Sequence, residues 1–414
     1  MKRIVVVGAG AIGLACAHAL AKRGLQVVVV DKGAPGDACT KGNAGWIVPS
    51  LSAPIPAPGM TWRSLAWMLS SDSPLHVAPT AVPRLARWLW HFWRHCNARD
   101  WSAGLHAVAA LNRGTLAAFD ALAREGIEVE LHRQGLLCVF GQVRDMERVR
   151  AEFEQLRDYG YRVPTPLSGD ALRELEPALS SNVTTGFLTS EEYHVRPESL
   201  AAGYAARLTH MGVELRTGVT VLGARAGAHA VVLETDVGAI EGEGVLVAAG
   251  AWSGEVLQRF GVRLPVQAGK GYSLTIDTPH PQLQRPVYLG ETKIAATPFD
   301  GAVRFAGTME LSGVNERFDA RRMTAIRKGI ARYLREPLPA GGTEWVGMRP
   351  LTPDGLPMMG LVPGFGNVWV ATGHAMLGIT LAPVTGEAMA ALIAGEVPPV
   401  SLRAFDPGRF RHYT

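Results

Sequence analysis

The sequence predicts an α/β fold: a Rossmann-type parallel sheet, built from separated stretches of chain, interrupted by an α+β region with an antiparallel sheet. Three observations predict it. A glycine-rich turn joins a β-branched strand to an Ala-rich helix at the start of the chain. Short, fully apolar runs suited to strands buried on both faces return at Val245–Ala249 and Val368–Ala371. Between them lie stretches of strand period and of amphipathic helical period.

The first element is Ile4–Val7, which ends directly in Gly8-Ala9-Gly10-Ala11-Ile12-Gly13. The helix that follows carries Lys22 and Arg23 in its last turn and stops at Gly24. A second apolar strand, Val27–Val30, ends in Asp31, with Lys32 next. Strand, Gly-x-Gly-x-x-Gly turn, helix, strand and acid make one dinucleotide-binding βαβ unit. Gly8 permits the tight turn, Gly10 lets a pyrophosphate approach the backbone, and Gly13 lets helix and sheet pack closely. The helix N-terminus, opened by Ala11 and Ile12, favours the diphosphate charge. Asp31, 18 residues after Gly13, suits a ribose hydroxyl and argues against a 2′-phosphate. Lys2, Arg3 and the small residues Ala15-Cys16-Ala17 imitate a secretory leader, but three glycines and the second strand break that pattern.

Size and composition narrow the class. The 414 residues suffice for two or three domains, and 47% apolar against 19% charged residues predicts large cores. A net charge of +4 without a long basic run argues against nucleic-acid binding. Cys16, Cys39, Cys96 and Cys138 form no C-x-x-C pair or zinc spacing, so a metal-free, cytoplasmic protein is expected. No apolar run is long enough for a membrane-spanning helix.

Further along, Pro49–Pro58 holds four prolines in ten residues and is expected to be extended. Residues 60–125 read as mostly helical, 128–140 as strand and hairpin, and 145–159 as an amphipathic helix ending at Gly160. A helix is expected over 197–211, then strands at 213–216, 219–224, 231–235 and 244–249. Strands at 272–276, 293–298 and 303–308 suit a second, antiparallel sheet. A helix over 321–334, a strand over 368–371 and a last helix ending near Ala394 complete the pattern. The expected division is 1–50, 195–265 and 345–398 for the dinucleotide domain, 51–194 and 266–344 for the inserted domain, and 399–414 as a tail.

Later motifs point to a family. Gly347-Met348-Arg349-Pro350-Leu351-Thr352-Pro353-Asp354-Gly355-Leu356-Pro357 resembles the substrate-binding signature of the D-amino-acid oxidase/glycine oxidase superfamily. Gly42-Asn43-Ala44-Gly45 with the Pro-rich stretch resembles the D-amino-acid dehydrogenases within it. Val245–Trp252 is similar to the superfamily's strand-Gly-Ala-Trp element, and Gly373–Thr380 to its C-terminal flavin loop. The resemblance runs over the whole chain in the right order.

It implies FAD, with pyrophosphate at Gly8–Gly13 and ribose at Asp31. Asn43, Ala44, Gly45, Trp46 and Ile47 would line the flavin, as would Ala249, Gly250 and Trp252. Val219 would meet the adenine through its backbone. Gly373 and Leu377 would adjoin the flavin, and Gly378, Ile379 and Thr380 would direct N–H donors at its N1/C2 edge. Some relatives hold flavin covalently through a cysteine two positions before the residue matching Arg349; here that position is Gly347, so non-covalent FAD is expected. Arg349, also expected to touch the flavin, would hold a substrate carboxylate bidentately. The plain alternative is a structural ion pair with Asp354. Tyr272, Tyr288, Arg304 and His374 are further candidates near the flavin face, each with a packing role as the alternative.

The implied reaction is hydride transfer from Cα of a D-amino acid to flavin N5, giving an imino acid that hydrolyses to a 2-oxo acid and ammonia. Only one dinucleotide fingerprint is present, so the electrons are expected to come from a bound small substrate rather than NAD(P)H; a quinone or another acceptor is expected to receive them. Alternatives are an oxidase or dehydrogenase for glycine, sarcosine or D-proline/D-hydroxyproline, and a flavin subunit active only in a hetero-oligomer. Six of the ten tryptophans fall between Trp62 and Trp101. On a helix over 84–96, Arg84, Arg87, His91 and Arg94/His95 share one face, and Leu85, Leu89, Phe92 and Cys96 another, with Trp88 and Trp93 beside them. That pattern fits peripheral contact with the inner face of a membrane or, alternatively, a helix capping the inserted domain.

Overall fold

The computed structural model describes residues 2–59, 75–78, 81–277, 282–411 and 413. A six-stranded sheet runs in the order Glu214–Thr217, Gln26–Asp31, Arg3–Val7, Gly244–Val247, Val368–Thr372, Met358–Leu361. All its pairings are parallel except the last. The apolar strands alternate between two cores. Ile4, Val6, Val29 and Leu246 face one, while Val5, Val7, Val28 and Val245 face the other. Burial on both faces is why these strands show no polar alternation, and each such side chain contributes roughly 1.5–3 kcal/mol.

Helices Ala11–Lys22 and Gly378–Ala394 lie on the first core, with their backbones close. A Cβ at Gly386 would stand 2.6 Å from the Ala15 carbonyl oxygen, so only glycine permits this crossing. A three-stranded antiparallel sheet, Val221–Ala226, Val231–Thr235 and Gly238–Gly242, covers the second core.

The second large sheet has nine strands and is mostly antiparallel. Its order begins Thr343–Leu351, Gln267–Asp277, Ala302–Leu311, Ile294–Phe299, Val287–Leu289, Leu136–Phe140. Helix Ala320–Ala331 covers one face through Met323, Ile326 and Ile330. The other face is floored by small residues (Ala295, Ala306, Gly307, Gly347) and opens on a cavity.

Several expectations shift. The 128–140 stretch is not a hairpin: Leu131–His132 pairs with Tyr193–Val195 in a small sheet, while Leu136–Phe140 pairs with Thr185–Thr189 and Val287–Leu289. The 145–159 helix divides into an α-helix, Val143–Arg150, and a 3₁₀ segment, Ala151–Tyr159, closed by Gly160 at φ 90°. Pro49–Leu51 is a 3₁₀ turn rather than extended chain. The strand expected from Val219 begins at Val221, because the Val219 N–H donates to the Asp31 carbonyl. A domain boundary at 345 would cut strand Thr343–Leu351, which pairs with Gln267–Asp277 over its whole length. Of the expected helices, Val82–His95, Ala98–Asn112 and Thr115–Ala121 are present; residues 60–74 lie outside the described residues. The tail is packed: Phe405 and Phe410 are buried, and Arg409 pairs with Asp354. Among the described residues no helix is long and apolar enough to cross a membrane.

Candidate active site

At the carboxyl ends of the parallel strands lies a cavity of about 310 Å³, lined by Gly8, Gly10, Ala11, Ile12, Asp31 and Lys32. Gly8 takes φ 117°, and a Cβ there would stand 2.4 Å from the Ala248 carbonyl oxygen. Gly13 is not part of the lining; its Cβ would meet the Gly8 carbonyl oxygen at 1.8 Å, so its task is to let helix and strand touch. At Gly10 the nearest atom to a Cβ is Thr40 Oγ1 at 3.5 Å, which leaves the space above the helix N-terminus open. Asp31 Oδ2 accepts from the Ala9 N–H (2.6 Å) and Oδ1 from the Gly33 N–H (2.8 Å). A carboxylate has further lone pairs, so Asp31 can shape the turn and still accept from a ribose hydroxyl.

The remaining wall brings Val219, Ala249, Gly250 and Trp252 together with His374, Gly378 and Ile379. Lys32 Nζ sits 3.7 Å over the Trp252 ring. This cradle fits a dinucleotide: an open glycine at a helix N-terminus, an acid at the second strand end and a second helix N-terminus at Gly378.

A larger cavity of about 630 Å³ adjoins the first, and Cys39 and Asn43 line both. Strand Thr343–Leu351 forms part of the shared wall. Gly347, Arg349 and Leu351 line the larger cavity, whereas Met348 and Pro350 line the smaller, as strand alternation requires. Arg349 thus stands one wall away from the dinucleotide cradle.

The surroundings of Arg349 are specific. Its guanidinium lies against Gly271, where a Cβ would come within 2.2 Å of Cζ. Nη1 donates to the Thr308 carbonyl at 2.8 Å. That carbonyl is turned inward by a bulge, since register shifts between Lys270↔Glu310 and Tyr272↔Gly307. Thr308 adopts φ 57°, a costly conformation for a β-branched residue and one that bulges beside functional sites supply. Among the described residues Arg349 has no carboxylate partner; Asp354 is held by Arg409 at 2.7 and 3.2 Å, which removes the structural ion pair considered from sequence. Burial lowers the Arg349 pKa from its ordinary value. A half-buried guanidinium on a cavity wall without a counterion is poised to take an incoming carboxylate.

The other candidates fall in different places. Tyr288 lines the larger cavity beside Trp46, with ring centroids 6.1 Å apart. Tyr272 lines it too, but its hydroxyl donates to Glu310 at 2.7 Å, within a buried Lys270–Glu310 pair. Arg304 does not line either cavity. It pairs with Glu198 and donates to the Lys41 and Asn43 carbonyls, so it ties down the loop rather than facing a substrate. His374 is buried on the smaller cavity, with Nε2 3.1 Å from Thr385 Oγ1; burial pushes it down to about 3 and keeps it neutral.

Among the flavin-loop residues, Ala44, Trp46, Leu377 and Thr380 line the larger cavity and Asn43 both. Gly45, Ile47 and Gly373 line neither cavity, and the Ile47 side chain is buried in the first core. A Cβ at Gly45 would stand 2.0 Å from the Val195 carbonyl oxygen, Ile47 pairs with Tyr193, and a Cβ at Gly373 would stand 2.6 Å from Thr352 Cγ2. Sequence reasoning missed Gly271, Thr308, Cys39 and Glu152. Only Gly271 left a signal, as a glycine inside a strand.

Known proteins are similar to this chain in sequence and in fold. A D-amino acid dehydrogenase of Xanthobacter autotrophicus is 33% identical over 99% of each chain, and one of Methylobacterium nodulans 32% over 99% of each. The fold is similar to glycine oxidase from Geobacillus kaustophilus (TM-score 0.75, 24% identity, 98% of each chain). It is also similar to L-proline dehydrogenase from P. horikoshii (TM-score 0.78, 17% identity, 100% of this chain and 98% of that one). The FAD dependent oxidoreductase family, DAO, matches residues 3–392, and the chain belongs to it.

Proposed function

We propose that this chain carries out FAD-dependent oxidative deamination of D-amino acids, yielding a 2-oxo acid and ammonia and passing electrons to a quinone or similar acceptor. The observation that carries it is the unpaired Arg349 on the wall between the dinucleotide cradle and a cavity large enough for an amino-acid side chain. The curated relatives' name supports the D-amino-acid class.

Arg349 would take the α-carboxylate bidentately and so fix which face of Cα meets the cofactor. Apolar walls at Trp46, Leu51 and Phe92 exclude water and favour the neutral amine that oxidation needs. FAD, when bound, supplies the hydride acceptor. Gly347 has no room for a side chain, since a Cβ would meet Trp345 at 1.8 Å, and this supports non-covalent FAD. The domain division follows the two large sheets, with the inserted domain extended to about residue 351.

Incubation of FAD-loaded protein with a D-amino acid and a soluble quinone should give 2-oxo acid, ammonia and quinol in equal amounts. Ammonia without quinol, with oxygen consumed instead, would replace the dehydrogenase reading by an oxidase.

The surface helix Val82–His95 buries Leu85 and Trp88 against Val77, Leu311 and Leu351, so its apolar stripe caps the cavity. Trp90 and Trp93 remain exposed, with Arg94 over the Trp90 ring. We propose that this outer face makes the peripheral membrane contact. Co-sedimentation with anionic vesicles should be lost in the Trp90→Ala/Trp93→Ala double variant; wild-type protein left wholly in the supernatant would dismiss the contact.

A further inference from the structure

The far end of the larger cavity holds a group that the proposed reaction does not use. Glu152, at the start of the 3₁₀ segment Ala151–Tyr159, lines that cavity together with Tyr288 and Lys293. Among the described residues it accepts no hydrogen bond and forms no ion pair, and it is half-buried. Burial pushes its carboxyl up to about 7, while the charge of Lys293 pulls the other way. A half-buried carboxylate on a cavity wall, with no protein donor on it, keeps its lone pairs for a ligand's donor.

The sheet sets the width of the floor between Arg349 and the Lys293 end of the cavity. The guanidinium lies over Gly271 in strand Gln267–Asp277. The next strand, Ala302–Leu311, contributes Gly307 and Thr308, and the one after, Ile294–Phe299, begins beside Lys293. The two spacings make about 9.6 Å. Between the ends the floor is Ala295, Ala306 and Gly307, which offer no side chain to block an extended ligand. A side chain of the lysine or arginine type spans that floor; that of alanine does not.

We infer that the cavity selects D-amino acids whose long side chain ends in an amine or guanidinium, which Glu152 receives while Arg349 holds the α-carboxylate. The inference rests on the proposed amino-acid oxidation at Arg349. Lys293 is exposed at the cavity's edge, where it favours the ionised form of Glu152. Tyr288 bounds the same end and adds no charge at neutral pH, because burial raises its pKa.

The test compares D-lysine with D-norleucine, which has the same chain but no charge, by the rate of anaerobic flavin bleaching in FAD-loaded protein. D-Lysine should exceed D-norleucine in kcat/KM by at least about tenfold, as a charged hydrogen bond implies. Glu152→Gln should erase most of that ratio by lowering D-lysine far more than D-norleucine, whereas a merely structural role for Glu152 would lower both alike. D-Norleucine equal to or faster than D-lysine in the wild type overturns the inference, as does a ratio that Glu152→Gln leaves intact or a preference for D-glutamate. The wild-type comparison decides even if the variant does not fold. Failure of every D-amino acid to bleach the flavin would instead overturn the underlying reaction, and this inference with it.

Discussion

Replacing Arg349 with Ala is expected to lower kcat/KM for every amino-acid substrate by about three orders of magnitude, while FAD content stays at the wild-type level. A carboxylate that loses a desolvated, bidentate partner forfeits on the order of 4 kcal/mol. Arg349→Lys should recover part of the loss, because charge returns but the planar fork does not. Gly271→Ala should imitate the loss without touching Arg349, since its Cβ would fall 2.2 Å from Cζ and push the guanidinium off its seat. Stopped-flow reduction by a D-amino acid, with FAD content read from the flavin absorbance, separates these effects. Unchanged kcat/KM in Arg349→Ala would mean that the carboxylate is held elsewhere.

The second large effect concerns the cofactor. Gly10→Val should leave a folded apoprotein that no longer retains FAD, with affinity lowered by at least about a hundredfold. The backbone at Gly10 has φ −75°, which any residue adopts, and the nearest atom to its Cβ is 3.5 Å away. The cost to the apo fold is therefore about 1 kcal/mol or less, whereas the added methyls occupy the pyrophosphate's place. Gly13→Ala should behave in the opposite sense. Its Cβ meets a backbone oxygen at 1.8 Å, so the helix must lift from the strand, costing on the order of 1–3 kcal/mol or more. Urea denaturation of the two apoproteins, beside flavin retention on gel filtration, checks both. FAD bound tightly by Gly10→Val would contradict the placement of the pyrophosphate.

These two residues also show what was legible in the sequence. The βαβ unit is local: strand, turn, helix and acid follow one another within Arg3–Asp31, and short-range rules suffice. Arg349 was legible because it sits inside a dense motif. What escaped depends on partners far apart in the chain. Arg304 reads as a candidate site residue until Glu198 and the Lys41 and Asn43 carbonyls are seen to take its N–H groups. The apparent hairpin at 128–140 is undone by strands more than forty residues away, Thr185–Thr189 and Val287–Leu289. The Thr308 bulge has no sequence signal, because a threonine at φ 57° is what local propensity disfavours. The pattern matches a general expectation, that local rules fail where a site needs an unusual conformation.

The most direct test of the central claim is anaerobic mixing of FAD-loaded protein with the two enantiomers of one amino acid, following loss of the flavin absorbance. With Arg349 fixing the carboxylate against the wall of the dinucleotide cradle, only one face of Cα can be presented to the cofactor. The D-enantiomer should bleach the flavin and leave a 2-oxo acid, and the L-enantiomer should leave it oxidised. Equal bleaching by both, or none by either with FAD bound, would contradict the account.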